Sequence, residues 1–206
     1  RGLVVAHSDD FPSPGPRILA EFADGSRLDN GGERLRLLAW DGTVIADFTW
    51  DDVAPWPTGP DGDGPSLTLV RPHTGPDYAD PANWRASATT GGTPGGTDAV
   101  TFAGDATADT DGDGLPDLCE HAFGGNVPEL TRDATRTLWR IPVATVAEDV
   151  EVTPEWSTDL RTWQPVSTLL PAAAVTSAGT IDWHEHSRET ADPPAPAFLR
   201  VRVTLR

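Results

Sequence analysis

Five acids fall at fixed intervals in one short stretch: Asp109, Asp111, Asp113, Asp117 and Glu120. With Gly114 and Leu115 they fill the positions of a twelve-residue calcium loop, Asp109-Thr110-Asp111-Gly112-Asp113-Gly114-Leu115-Pro116-Asp117-Leu118-Cys119-Glu120. A hard divalent cation takes six to eight oxygens at about 2.3–2.6 Å. Asp109, Asp111 and Asp113 recur at every second residue, so a curling loop can aim all three carboxylates inward. Gly114 permits the sharp bend. Leu115 offers its backbone carbonyl, which leaves its side chain free to be apolar. Asp117 ligates directly or through water, and Glu120 is long enough to reach back with both oxygens. Five carboxylates this close repel one another, and a cation removes the repulsion. The metal expected here is Ca2+, on Asp109, Asp111, Asp113, Asp117 and Glu120 with the Leu115 carbonyl.

Other constellations are weaker. Asp61-Gly62-Asp63-Gly64 lacks the later acids and reads as a turn. His184 and His186 share one face of a strand at a spacing that can hold zinc or copper. No Cys or third His lies near them in sequence, so an exposed strand whose imidazoles titrate near neutrality is the simpler reading. Cys119, the single cysteine, reads as a small buried residue on the helix after the loop, and it excludes an internal disulfide framework. Of the eight Trp, Trp50, Trp156 and Trp163 sit where they fill a β core, whereas Trp56, between two prolines, is expected to be exposed. It is the candidate ligand-binding aromatic, for stacking on a sugar. No nucleophile elbow, zinc-protease helix or phosphate loop occurs, so no catalytic residue is assigned.

The elements that must position these residues are strands. Gly and Pro number 20 each in 206 residues, which favours turns and strands over long helices. Arg34–Ala39 and Thr43–Trp50 flank an Asp41-Gly42 hairpin signal. Further strands are expected at Leu3–Ala6, Ser66–Val70, Thr137–Val143, Val150–Trp156, Trp163–Ser167, Thr180–His186 and Phe198–Leu205. In the last, Leu199, Val201, Val203 and Leu205 share a face. Residues 85–98 are small and polar and read as a domain edge or linker, and residues 191–197 as a Pro-rich loop. One short helix, Pro116–Phe123, should leave the calcium loop and stop at Gly124-Gly125. No helix-like run precedes the loop, so it is not half of a paired helix–loop–helix sensor.

Asp and Glu total 32 against 15 basic residues, all Arg, for a net charge of −17. That field repels phosphate backbones and excludes a nucleic-acid partner. No run of 18 apolar residues exists to span a bilayer, so membrane insertion is not expected. Without Met and opening on Arg1, the chain reads as a processed or excised piece.

Residues 1–97 resemble the C-terminal portion of bacterial lamin-tail domains. The resemblance rests on the series Leu28-Asp29-Asn30-Gly31-Gly32-Glu33-Arg34-Leu35, Asp41-Gly42-Thr43-Val44-Ile45-Ala46-Asp47-Phe48, Pro55-Trp56-Pro57, Trp84-Arg85-Ala86-Ser87 and Gly91-Gly92-Thr93-Pro94-Gly95. It implies an immunoglobulin-like β-sandwich, non-catalytic, lacking its opening strands and so exposing core and an unpaired edge. Residues 98–130 resemble the lone calcium loops of thrombospondin type 3 repeats and dockerin-like segments, which implies a structural role, with calcium stiffening the joint between two β units. Residues 131–206, with Trp156-Ser157-Thr158-Asp159-Leu160-Arg161-Thr162-Trp163, resemble C-terminal β modules of secreted planctomycete- and verrucomicrobia-type proteins. The expectation is therefore a mostly β chain: an immunoglobulin-like sandwich, a calcium loop with one short helix, and a second small sandwich-like unit. The expected function is that of a non-catalytic calcium-binding module of a larger secreted or cell-surface bacterial protein, meeting a protein or glycan partner. The alternative is a carbohydrate- or substrate-targeting module of a secreted enzyme.

Overall fold

The computed structural model describes residues 2–11, 14–22, 27–62, 64–189 and 197–206. The chain is mostly β and divides into two compact units, Arg1–Ala99 and Val100–Arg206. Asp63 and most of the Pro-rich 191–197 segment lie outside the described residues.

In the first unit, β1 (Leu3–Val5) runs parallel to β2 (Ile18–Glu21). Antiparallel β3 (Arg34–Leu38) and β4 (Val44–Thr49) form the expected hairpin, and β5 (Pro65–Leu69) pairs antiparallel with β6 (Trp84–Thr90). The hairpin turn is set by its sequence. Asp41 Oδ1 accepts the Thr43 amide at 3.0 Å, and Gly42 takes a φ of +87°. Leu37 lies opposite Ala46 and Leu38 opposite Val44, so Ile45 has no partner across the ladder. This bulge breaks the two-residue alternation. Val44 and Ile45 are both exposed, while Ala46 and Phe48 are half-buried.

The aromatic core of this unit corrects one expectation. Phe48 stacks on Trp84 at 5.5 Å between ring centroids, and Trp56 lies 5.9 Å from Trp84. Trp56 is buried, with 8% of its surface exposed, because its indole tucks against Trp84. The flanking prolines shape a turn and do not push the ring outward. The exposed indole is Trp40, at the hairpin tip, at 98%.

Residues 85–98 are not a linker throughout. Trp84–Thr90 is β6, and Arg85, Ala86 and Ser87 are buried. The strand forms through pairing with β5, and Ser87 Oγ accepts the Ser66 amide at 2.8 Å. Arg85 is ion-paired with Asp98, both side chains 3% exposed, and Asp98 also accepts the Ala88 amide at 2.9 Å.

The second unit holds α1 (Asp117–Phe123), then β7 (Glu129–Arg132), β8 (Arg136–Ala144), β9 (Val150–Ser157), β10 (Gln164–Pro165), β11 (Ala172–Ala178), β12 (Ile181–Glu189) and β13 (Phe198–Leu205). One sheet has the order β11-β12-β8-β7 and the other β10-β9-β13. Trp139 and Ile141 of β8, Val150 of β9, and Leu118, Ala122 and Phe123 of α1 form the core, with Leu199, Val201 and Val203 of β13 packed against it. The β13 alternation runs as its sequence predicts from Phe198 to Val203 and then ends, with Thr204 half-buried and Leu205 exposed. On the outer faces, Arg140 lies 4.7 Å from the Trp183 ring and bonds Glu129 and Glu185, and Arg200 lies 3.8 Å from the Trp163 ring and bonds Glu155. Trp163 therefore covers an arginine outside the sheet and does not fill the core.

Four more expectations shift. The helix starts at Asp117 rather than Pro116, which keeps an extended ψ of 142° as the residue just ahead. Strand pairing at Trp163–Ser167 shrinks to Gln164–Pro165, and a 3-10 turn, Val166–Thr168, follows. Strands β2, β7 and β11 have no counterpart in the sequence reading. Finally, His184 and His186 are not on an exposed face. They pair with Ile141 and Trp139 of the core-lining β8 and are half-buried.

Candidate metal centre

The loop between Ala108 and α1 is shaped by its own acids. Asp109 accepts the Gly112 amide on Oδ1 at 2.8 Å and the Gly114 amide on Oδ2 at 3.0 Å. Asp111 accepts from the Asp113 amide at 3.2 Å, and Asp113 from the Leu115 amide at 2.7 Å. Each carboxylate thus holds the backbone a few residues ahead of it, and the chain curls around them. Gly114, at a φ of +94°, takes a conformation that an L side chain rarely adopts.

The curl brings three of the expected ligands together. Carboxylate oxygens of Asp109, Asp111 and Asp113 all lie within 4.8 Å of one another. Among the described residues this is the group of three or more His, Cys, Asp or Glu side chains so placed, and His184 and His186 gain no third ligand. Asp117 is placed differently. Its Oδ1 accepts the Thr110 amide at 2.8 Å and its Oδ2 the Thr110 hydroxyl at 2.6 Å, which hold its carboxyl below the usual range. It ties the start of α1 back to the start of the loop. Glu120, in the first turn of α1, is pushed above the usual carboxyl range, first by desolvation and then by Asp111, Asp113, Asp117 and Asp109. All four loop aspartates therefore act on Glu120. The Leu115 side chain packs against the hydrophobic core, as its place in the motif allows.

Both ends of the loop are fastened to the second unit. Before it, the Val100 amide donates to the Val146 carbonyl at 2.8 Å and the Phe102 amide to Asp149 Oδ2 at 2.6 Å. After it, His121 Nε2 lies 2.9 Å from Asp149 Oδ1, and the Phe102 and His121 rings are 5.6 Å apart. Burial pushes the Asp149 carboxyl up, but the His121 and Phe102 hydrogen bonds outweigh it and leave it below the usual range. The Asp117 amide closes the neck on the Ala108 carbonyl at 2.7 Å. Cys119 is half-buried against the core, and burial raises its thiol pKa, which makes it a packing residue and a poor nucleophile.

Sequence reasoning missed Asp149, His121 and Thr110. Thr110 stands inside the motif, at a position the motif leaves open. Asp149 lies 28 residues from His121 and 47 from Phe102, and no local spacing reveals such a contact. The donor set is all oxygen and mostly carboxylate, the chemistry that hard divalent cations prefer. Comparison with protein-family models, with curated proteins and with solved structures returned no match, so the reading of this centre rests on its own geometry.

Proposed function

We propose that the loop Asp109–Glu120 binds one calcium ion and that the chain is a non-catalytic structural module of a larger secreted or cell-surface bacterial protein. The observation that carries this is the convergence of Asp109, Asp111 and Asp113 within 4.8 Å on a loop whose backbone those same carboxylates hold. Asp109, Asp111, Asp113 and Glu120 would supply charged oxygens and Leu115 its carbonyl. Asp117, held by Thr110, would act through water, a common arrangement at the ninth position.

The role of the ion is mechanical. Without a cation the three clustered aspartates and Glu120 repel one another, and that repulsion opposes the curl. With calcium bound, the loop becomes a stiff arm attached through α1 to the core of the second unit. The ion thereby restricts the chain at the start of the second unit, ahead of α1. Extracellular calcium keeps weak sites of this kind filled, which suits a site outside the cell. Isothermal titration of the full chain with calcium tests the reading. One ion per chain is expected for the native protein and none for the Asp109→Asn/Asp111→Asn variant. Equal heats from both proteins would refute it.

A further inference from the structure

The first unit contains a cavity of about 440 Å³, unconnected with the calcium reading, between the β3–β4 hairpin and the β5–β6 pair. Its size is that of a small-ligand site. Phe48, Trp50 and Trp84 form its apolar wall, with the Phe48 and Trp84 rings stacked. Asp29, Asp51, Asp52 and Asp61 line the same cavity, and among the described residues no basic side chain does.

The hydrogen bonding of these acids is uneven. Asp29 accepts the Gly31 amide, Asp51 the Asp52 and Val53 amides, and Asp61 the Asn30 side chain at 3.2 Å. Asp52 has hydrogen bonds to the Asp51 side chain and to its own amide, and the charges that act on it, Asp61 and Asp51, are both negative. Desolvation raises its carboxyl, and Asp51 and Asp61 raise it further. No ion pair among the described residues reaches any of the four acids. The Trp50 indole N–H is likewise buried without a hydrogen-bond partner among the described residues. A carboxyl set among like charges beside an apolar wall is costly, and a cation would offset that cost; the vacant indole N–H needs an acceptor and is not served by a cation.

We propose that this cavity binds a small organic cation, an ammonium group on an apolar body. Phe48, Trp50 and Trp84 receive the body, and Asp52, with Asp51 and Asp61 beside it, receives the charge. Aromatic faces add to the attraction, since their quadrupoles favour a cation lying over the ring. A neutral sugar would use the same aromatic wall but would leave the four carboxylates uncompensated.

Calorimetric titration of the full chain with 2-phenylethylammonium and with its neutral counterpart 2-phenylethanol separates these cases. The amine is expected to bind and the alcohol to bind about tenfold or more weakly, because the charge-assisted hydrogen bond is lost. Asp52→Asn, which keeps the shape, should weaken the amine by a similar factor and leave the alcohol unchanged. Three results would overturn the proposal: equal binding of amine and alcohol, no amine binding up to about 10 mM, or unchanged amine binding in both Asp52→Asn and Asp51→Asn. The amine–alcohol comparison uses the unaltered protein, so it stands even if a variant fails to fold.

Discussion

Asp109 uses both carboxylate oxygens to hold the loop, one on the Gly112 amide and one on the Gly114 amide. Asn at this position keeps one acceptor, loses the charge and cannot reproduce both bonds. The same economy of single side chains recurs elsewhere. Asp98 is ion-paired with the buried Arg85 guanidinium, and truncating it removes that negative charge from a buried setting. Asp98→Ala should therefore destabilise the first unit by about 3–5 kcal/mol, read as a lowered urea midpoint at unchanged slope. Gly124 closes α1 at a φ of +61°, and a Cβ there would collide with Ile181. Gly124→Ala should cost the second unit at least about 1–2 kcal/mol from the left-handed backbone alone, and a thermal melt of that variant with no loss would contradict the packing described.

At the scale of elements, what could be read in advance was what is local. The five acids and Gly114 are neighbours in the chain, so their spacing announces the loop. The period of Leu199, Val201 and Val203 announces β13 to its last residue. Strands made by their partners stayed hidden. Residues 172–178, with three consecutive alanines, carry no alternation and form an exposed edge strand only because β12 is there to pair with. Residues 84–90 look like linker, yet β5 makes them a strand. Trp56 was misjudged for the same reason, since only Trp84 shows that its ring is covered. The outward reading of His184 and His186 failed because the β8 register, not the β12 sequence, decides their face. That register has a consequence for pH. Burial lowers both imidazole pKa values, against Asp182 for His184 and against the Leu170 carbonyl for His186, with His184 adding to the lowering at His186. The unfolded chain then takes up protons first as pH falls. Their contribution is fully present above about pH 6.5 and is lost as pH drops through the lower folded values. The melting temperature of the second unit should fall between about pH 7 and 5, and the His184→Gln/His186→Gln variant should show a shallower fall.

For the whole molecule, the charge of −17 first reads as a diffuse repulsive field. Its acids have several distinct settings: turns such as Asp41, ion pairs such as Asp98 with Arg85, a loop of five between Asp109 and Glu120, and the wall of the first unit's cavity. One bound calcium would bring the net charge to about −15 and draw its effect from a single place. On that proposal, protease should cut between Gly95 and Asn126 more slowly in calcium than in chelator, since a bound ion would stiffen the loop and its neck. The most direct test of the calcium account is the thermal stability of the full chain, by scanning calorimetry, in 1 mM calcium and in chelator. For a dissociation constant near 0.1 mM, linkage predicts stabilisation of about 1.4 kcal/mol and a melting temperature higher in calcium. Superimposable transitions in calcium and in chelator would contradict it.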